Sequence, residues 1–210
     1  MLFLILSMLC SITAPTDVVE HLSQPLFTSL SVPVKITRVH LNPQEEEIYK
    51  EYIYKQDDRI RIDVDYGDST ITTFVYDGKN GYKKGRLLPK TGSLEMVLYG
   101  CTCGYLQRME KTTTDLYGGS DVLLATGRQG NRLYLDYVNH LPIRYEFRNT
   151  IAEFKEYKKI DGFGKVPFLT VKSRKLDGVA EIVRITDIEN LVAIPRNFFS
   201  IPKRKIKTLD

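Results

Sequence analysis

The chain has 210 residues, a formal net charge of +4, 42% apolar residues, 10% aromatic residues and no tryptophan. The tail Lys203-Arg204-Lys205-Ile206-Lys207-Thr208-Leu209-Asp210 carries +3 of that charge and residues 1–16 carry none, so residues 17–202 are nearly neutral at +1. This leaves little charge for the basic face that a nucleic-acid binder needs, and three cysteines are too few for a disulfide-built scaffold.

Residues 1–16 contain no Asp, Glu, Lys or Arg and include Leu2-Phe3-Leu4-Ile5-Leu6, followed by Met8-Leu9-Cys10. A run of about ten apolar residues is too short for a membrane-spanning helix but suits the apolar core of a secretory signal. Residues 1–16 are therefore expected to be a signal peptide, although no basic residue precedes the run and cleavage after Ala14 would leave Pro15 first. Cys10 follows Leu9, where a lipidation signal wants a small residue, so it reads as one more apolar residue of that segment. Thr16 can cap a short helix over Asp17-Val18-Val19-Glu20-His21-Leu22, which Pro25 should end.

From Val32 onward, period-2 alternation dominates. In Arg59-Ile60-Arg61-Ile62-Asp63-Val64-Asp65-Tyr66, Ile60, Ile62, Val64 and Tyr66 share one side and the charged residues the other, as in a half-buried strand. Ile143-Arg144-Tyr145-Glu146-Phe147-Arg148 repeats the pattern. Turn chemistry punctuates these runs at Gly67-Asp68, Asp77-Gly78, Gly127 to Gly130, Asn139-His140, Asn149, Asp161-Gly162 and Asp177-Gly178. The predicted strands lie near 32–40, 46–55, 58–66, 70–77, 80–84, 121–127, 131–137, 141–148, 150–160, 165–174 and 178–189. A second helix is predicted from Ser93 to about Glu110, because Leu94, Leu98, Cys101, Tyr105 and Met109 recur at helical spacing. Gly100 and Gly104 would soften it. No Pro/Ser-rich linker divides the strands, so residues 17–202 read as one β-domain, with 203–210 as a basic tail.

Catalysis finds little support. His21, His40 and His140 lie far apart, with no Gly-x-Ser-x-Gly elbow, no phosphate-binding glycine loop and no metal-ligand spacing nearby. No catalytic residue, metal or cofactor is expected. Cys101 and Cys103 read as small buried residues. The strand tyrosines fit either ordinary strand propensity or a cavity lining. Arg59 and Arg61 fit either a solvated charged face or a latch that donates to the backbone carbonyls of a lid.

The order of these features resembles the LolA-like superfamily, the periplasmic lipoprotein carriers and outer-membrane lipoprotein-sorting proteins, over about residues 17–202. Asp58-Arg59-Ile60-Arg61-Ile62-Asp63 is similar to an early family strand. Phe74-Val75-Tyr76-Asp77-Gly78-Lys79-Asn80-Gly81-Tyr82 is similar to its Asp-Gly hairpin, with Tyr82 at a position often held by Trp. The stretch from Phe154 to Phe168 resembles the late strand, Asp-Gly turn and Pro-containing strand. Asp187-Ile188-Glu189-Asn190 and Pro195-Arg196-Asn197-Phe198-Phe199-Ser200-Ile201-Pro202 resemble the closing strand and terminal Phe-x-x-Pro. The middle segment with Cys101-Thr102-Cys103 matches nothing in the family pattern.

The resemblance implies a mainly β fold, an incomplete antiparallel β-barrel of about ten or eleven strands with helices over its open concave side. It implies an extracytoplasmic, periplasmic carrier for lipid or lipoprotein acyl chains, with an inner- or outer-membrane partner protein and no nucleic acid. Ile60, Ile62, Val64, Tyr66, Phe74 and Tyr76 would line the concave face, Leu94, Leu98 and Tyr105 would cover it, and Arg59 or Arg61 would latch the lid. An envelope sensor or protein-interaction module on the same fold is the alternative, and an enzyme with a fold-assembled site the third.

Overall fold

A computed structural model describes residues 33–83, 86–88, 109–127, 130–160 and 164–200. These form thirteen strands: β1 Val34–Leu41, β2 Glu47–Gln56, β3 Arg59–Asp65, β4 Thr70–Tyr76, β5 Gly81–Lys83, β6 Arg86–Leu88, β7 Met109–Tyr117, β8 Ser120–Gly127, β9 Arg132–Asp136, β10 Pro142–Phe147, β11 Thr150–Ile160, β12 Gly164–Arg174 and β13 Gly178–Asn190. A 3-10 turn follows at Arg196–Phe199.

All thirteen strands belong to one sheet, in the order β6-β5-β4-β3-β2-β1-β13-β12-β11-β10-β9-β8-β7. The chain runs outward from β1 to one edge, crosses to the far edge, and returns hairpin by hairpin to β13. The two ladders meet where β1 pairs antiparallel with β13. The sheet is curved and does not close into a barrel, since β6 and β7 remain its edges. Bulges bend strands and increase their twist, and register shifts interrupt the β1–β13, β1–β2, β12–β13, β3–β4 and β9–β10 pairs.

Alternation sets which side is buried. Val34 and Ile36 in β1, Ile53 in β2, Ile60 and Ile62 in β3, and Phe74 in β4 share one cluster with Leu123, Leu133, Tyr145, Phe154 and Ile185 from the other ladder. The registers put these residues in phase: Ile36 faces Ile53, Ile53 faces Ile62, and Ile62 faces Phe74. We call this side the core face.

The mainly β, antiparallel, unclosed architecture agrees with the sequence reading, and two strands escaped it. β6 is only three residues long. β7 carries Lys111-Thr112-Thr113-Thr114, which lacks an apolar alternation. The second predicted helix is corrected at its end: Met109 and Glu110 lie in β7. Threonine's β-branch favours the strand that follows, while the helical spacing that reached Met109 ignored it. The rest of that helix, the first helix and the signal segment lie outside the described residues.

Leu133 is fully buried, whereas Leu176, at the β12–β13 turn, is 84% exposed. Leu133→Ala should cost about 2–5 kcal/mol and lower the urea midpoint at unchanged slope. Leu176→Ala should change stability by less than about 0.5 kcal/mol.

Candidate functional site

The predicted lining residues divide by position. Ile60, Ile62, Val64 and Phe74 are buried on the core face. Tyr76 is half-buried against the same cluster, and its hydroxyl donates to the Gly78 carbonyl at 3.2 Å. Tyr66 lies just beyond β3 and is 52% exposed, with its ring 5.6 Å from that of Tyr49. Leu94, Leu98 and Tyr105 lie outside the described residues.

Charged side chains enter the core face at one end of the β1–β13 seam. Arg38 and His40 follow Val34 and Ile36 in phase along β1, so they point to the apolar side, and both are buried. Facing them across the strand pairs are Glu51 and Tyr49 of β2, and Glu181 and Lys172 of β13 and β12 complete the group. Arg38 donates to Glu51 through Nε at 2.8 Å and also through Nη2. The His40 ring spans the seam, with Nδ1 2.5 Å from Glu181 Oε1 and Nε2 3.3 Å from Glu51 Oε2. Lys172 donates to Glu181 at 2.7 Å, and the Tyr49 hydroxyl donates to Glu181 Oε1 at 3.3 Å. The His40 and Tyr49 rings stack at 4.1 Å.

These contacts offset the cost of burying charge, which is large for an unpaired ion. Burial pushes the Glu51 carboxyl up, but the Arg38 charge and the His40 hydrogen bond outweigh it and hold Glu51 at about 2. Burial acts the same way on Glu181, and the His40 hydrogen bond and Lys172 charge bring it to about 2. Burial and then the Glu181 and Glu51 charges push the Tyr49 phenol up. Among the described residues, no set of three His, Cys, Asp or Glu side chains is placed to hold a metal.

Sequence reasoning treated His40 as isolated and did not single out Arg38, Glu51, Lys172 or Glu181. The signal was a phase: in Val34-Lys35-Ile36-Thr37-Arg38-Val39-His40, the Arg and His continue the apolar phase and not the polar one.

Arg59 and Arg61 sit on the opposite face. Arg61 donates through Nε to Asp63 at 2.9 Å, through Nη2 to Thr72 at 2.8 Å and through Nη1 to the Phe198 carbonyl at 3.0 Å. Its guanidinium lies 4.3 Å from the Phe198 ring centre. Tyr54 meets that ring edge-on at 4.8 Å, and Arg59 stands over Phe199 at 5.1 Å while pairing with Asp57. Their described partners are therefore the 3-10 turn, Asp57 and Asp63 of the β2–β3 hairpin and Thr72 of β4, and the helix they were expected to latch lies outside the described residues.

No family model matches the chain, and no curated protein sequence does. Solved structures do. A domain from Vibrio parahaemolyticus, provisionally described as an outer membrane lipoprotein-sorting protein domain, superposes with a TM-score of 0.56 at 11% identity, covering 87% of this chain and 94% of that one. A LolA superfamily protein from Nitrosomonas europaea gives 0.54 at 15% identity, covering 90% and 98%. A protein from Desulfovibrio piger, of a family named only as a domain of unknown function, gives 0.52 at 10%, covering 88% and 95%. The fold of this chain is LolA-like. No helix among the described residues is long and apolar enough to cross a membrane.

Two outcomes follow from the charged groups. Glu51 and Glu181 are held near 2 in the fold against an ordinary value of 4.5, so the stability that they lend is fully present above pH 4.5 and is lost as the pH falls towards 2. Urea unfolding across that range should lose on the order of 3 kcal/mol through Glu51 alone, and a Glu51→Gln/Glu181→Gln variant should show a flatter pH profile and a lower stability at pH 7. Arg61→Ala should speed backbone hydrogen exchange and proteolysis around Arg196–Phe199 at a cost of about 1–3 kcal/mol, and Arg61→Lys should restore little because the planar fork makes the contacts.

Proposed function

We propose that this chain is an extracytoplasmic, non-enzymatic binding or carrier protein for lipid or lipoprotein acyl chains. The observation that carries this reading is the core face. It is apolar from β4 across the seam to β8, on a sheet whose edges among the described residues are β6 and β7. Ile60, Ile62, Val64 and Phe74 belong to it, and Tyr66 and Tyr76 lie in phase with them. Transfer of an acyl chain from water is worth about 0.8 kcal/mol per CH₂, so fourteen carbons supply roughly 10 kcal/mol. A ligand held by dispersion and apolar contact, without directed hydrogen bonds, can exchange when the face opens. The LolA-like fold is compatible with this role and does not by itself assign it. A membrane partner that loads or unloads the chain belongs to the same proposal.

The competing reading, a sensor or protein-interaction module, draws on one observation: among the described residues β7 is a nine-residue strand at the sheet edge, and such an edge can recruit another strand. Native mass spectrometry of protein purified from the source envelope separates the two. A heterogeneous set of lipid-mass adducts, lost on delipidation and restored by fatty acid, is the expected result. A delipidated protein that binds no apolar fluorophore, with one stable protein partner and no lipid, would overturn the carrier reading. Phe74→Ala should weaken fluorophore binding several-fold while retaining the β-sheet circular dichroism.

A further inference from the structure

The edge strand β7 has a geometry that its neighbours lack. Gly118 and Gly119 have φ of 61° and 82° and form a two-residue turn between Tyr117 and Ser120, which face each other. In such a hairpin the pair closing the turn exchanges backbone hydrogen bonds. Bonding to β8 therefore falls on Tyr117, Asp115 and Thr113. The N–H and C=O of Leu116, Thr114 and Thr112 point to the open edge. The Leu116 N–H agrees with this phase, since it donates to the Asp115 carboxylate at 2.8 Å.

Open edges are usually blunted by short strands, proline or charge. The opposite edge, β6, has three residues. β7 has nine, without proline, and a register shift only at its Met109 end; of its three charges, Lys111 and Asp115 lie symmetrically about Thr113 and Glu110 lies outside that run. The run Lys111-Thr112-Thr113-Thr114-Asp115 is complementary to itself when laid antiparallel about Thr113. Lys111 then faces Asp115 of the second copy at both ends, Thr112 faces Thr114, and Thr113 faces its own counterpart. In this register Thr112 and Thr114 form the hydrogen-bonded pairs and Thr113 the non-bonded centre. That is the phase in which their backbone groups point outward. Sliding the register by two residues in either direction keeps the backbone phase but separates both charge pairs. Lys111, which alone would repel another strand, thus selects one partner and one register.

We propose that β7 pairs antiparallel with β7 of a second copy of this chain, about a two-fold axis at Thr113, to give a homodimer with one continuous sheet. Like charges directly opposite on neighbouring strands destabilise a pair, and opposite charges stabilise it.

Sedimentation equilibrium of the full chain over micromolar concentrations tests this. A monomer–dimer equilibrium is expected. Lys111→Asp and Asp115→Lys should each raise the dissociation constant about tenfold, and the double swap should restore it. Thr114→Pro should abolish dimerisation while leaving the monomer's circular dichroism and thermal midpoint nearly unchanged, because the N–H it removes faces away from β8. If Thr114→Pro fails to fold, the charge-swap series decides alone. A chain that stays monomeric throughout, a dimer indifferent to Thr114→Pro, or a double swap that does not recover the affinity would each overturn the proposal.

Discussion

The seam between β1 and β13 holds the sheet together, because every other described strand pair joins neighbours in the chain. β1 and β13 lie roughly 150 residues apart, and closing a loop of that length costs about 4 kcal/mol beyond a constant. The seam offsets this with eight paired residues, a backbone bond from Leu191 to the Pro33 carbonyl at 2.8 Å, and the bridge from His40 to Glu181. Without it, each ladder would be a separate curved meander with an exposed apolar face. With it, Ile36 and Ile185 become part of one core.

The same seam explains why charges stand on an apolar face. Register shifts lie beside the group at three places, between Thr37 and Arg38, between His40 and Leu41, and between Lys172 and Ser173. A bulge sets two residues against one and turns the strand, which weakens regular apolar packing where several bulges collect. Arg38, His40, Glu51, Lys172 and Glu181 fill that place with a network drawn from four adjacent strands. Such a network is a poor source of net stability compared with packed hydrocarbon. What it adds is selectivity: sliding β1 by two residues against β2 or β13 would keep the apolar phase but leave buried charges unpaired. Register is then fixed by a penalty that alternation alone does not impose.

Much of the sheet was legible in the sequence, and the reason is local. Arg59 to Asp65 writes its two faces into alternate residues, and hairpin turns such as Asp77-Gly78 write their own positive φ, with Gly78 at 95°. Strand order at the seam was not legible, because nothing near Val34 or Ile185 names its distant partner. The edge strand β7 was hidden by its threonines, which neither alternate in polarity nor bury one side. The ionic cluster was hidden because its members are scattered from Arg38 to Glu181, and each alone reads as an ordinary surface residue. Arg61 was noticed for its charge, but its partner, the Phe198 carbonyl, lies 137 residues away.

A face that builds the core is also a face that a lipid could use, and this constrains any account of function. The contacts that bury Ile60, Ile62 and Phe74 are apolar and undirected, so protein and acyl chain are interchangeable as their cover, carbon for carbon. A structural role would be served by making that cover permanent. A carrier role needs the two covers to be close in free energy, so that neither wins outright. The ionic cluster at the end of the face bears on that balance. It joins β2, β1, β13 and β12 at one end of the face, whatever lies over the apolar part. The apolar phase is a pattern that many residues satisfy, whereas the seam and its charges hold one register of that pattern in place.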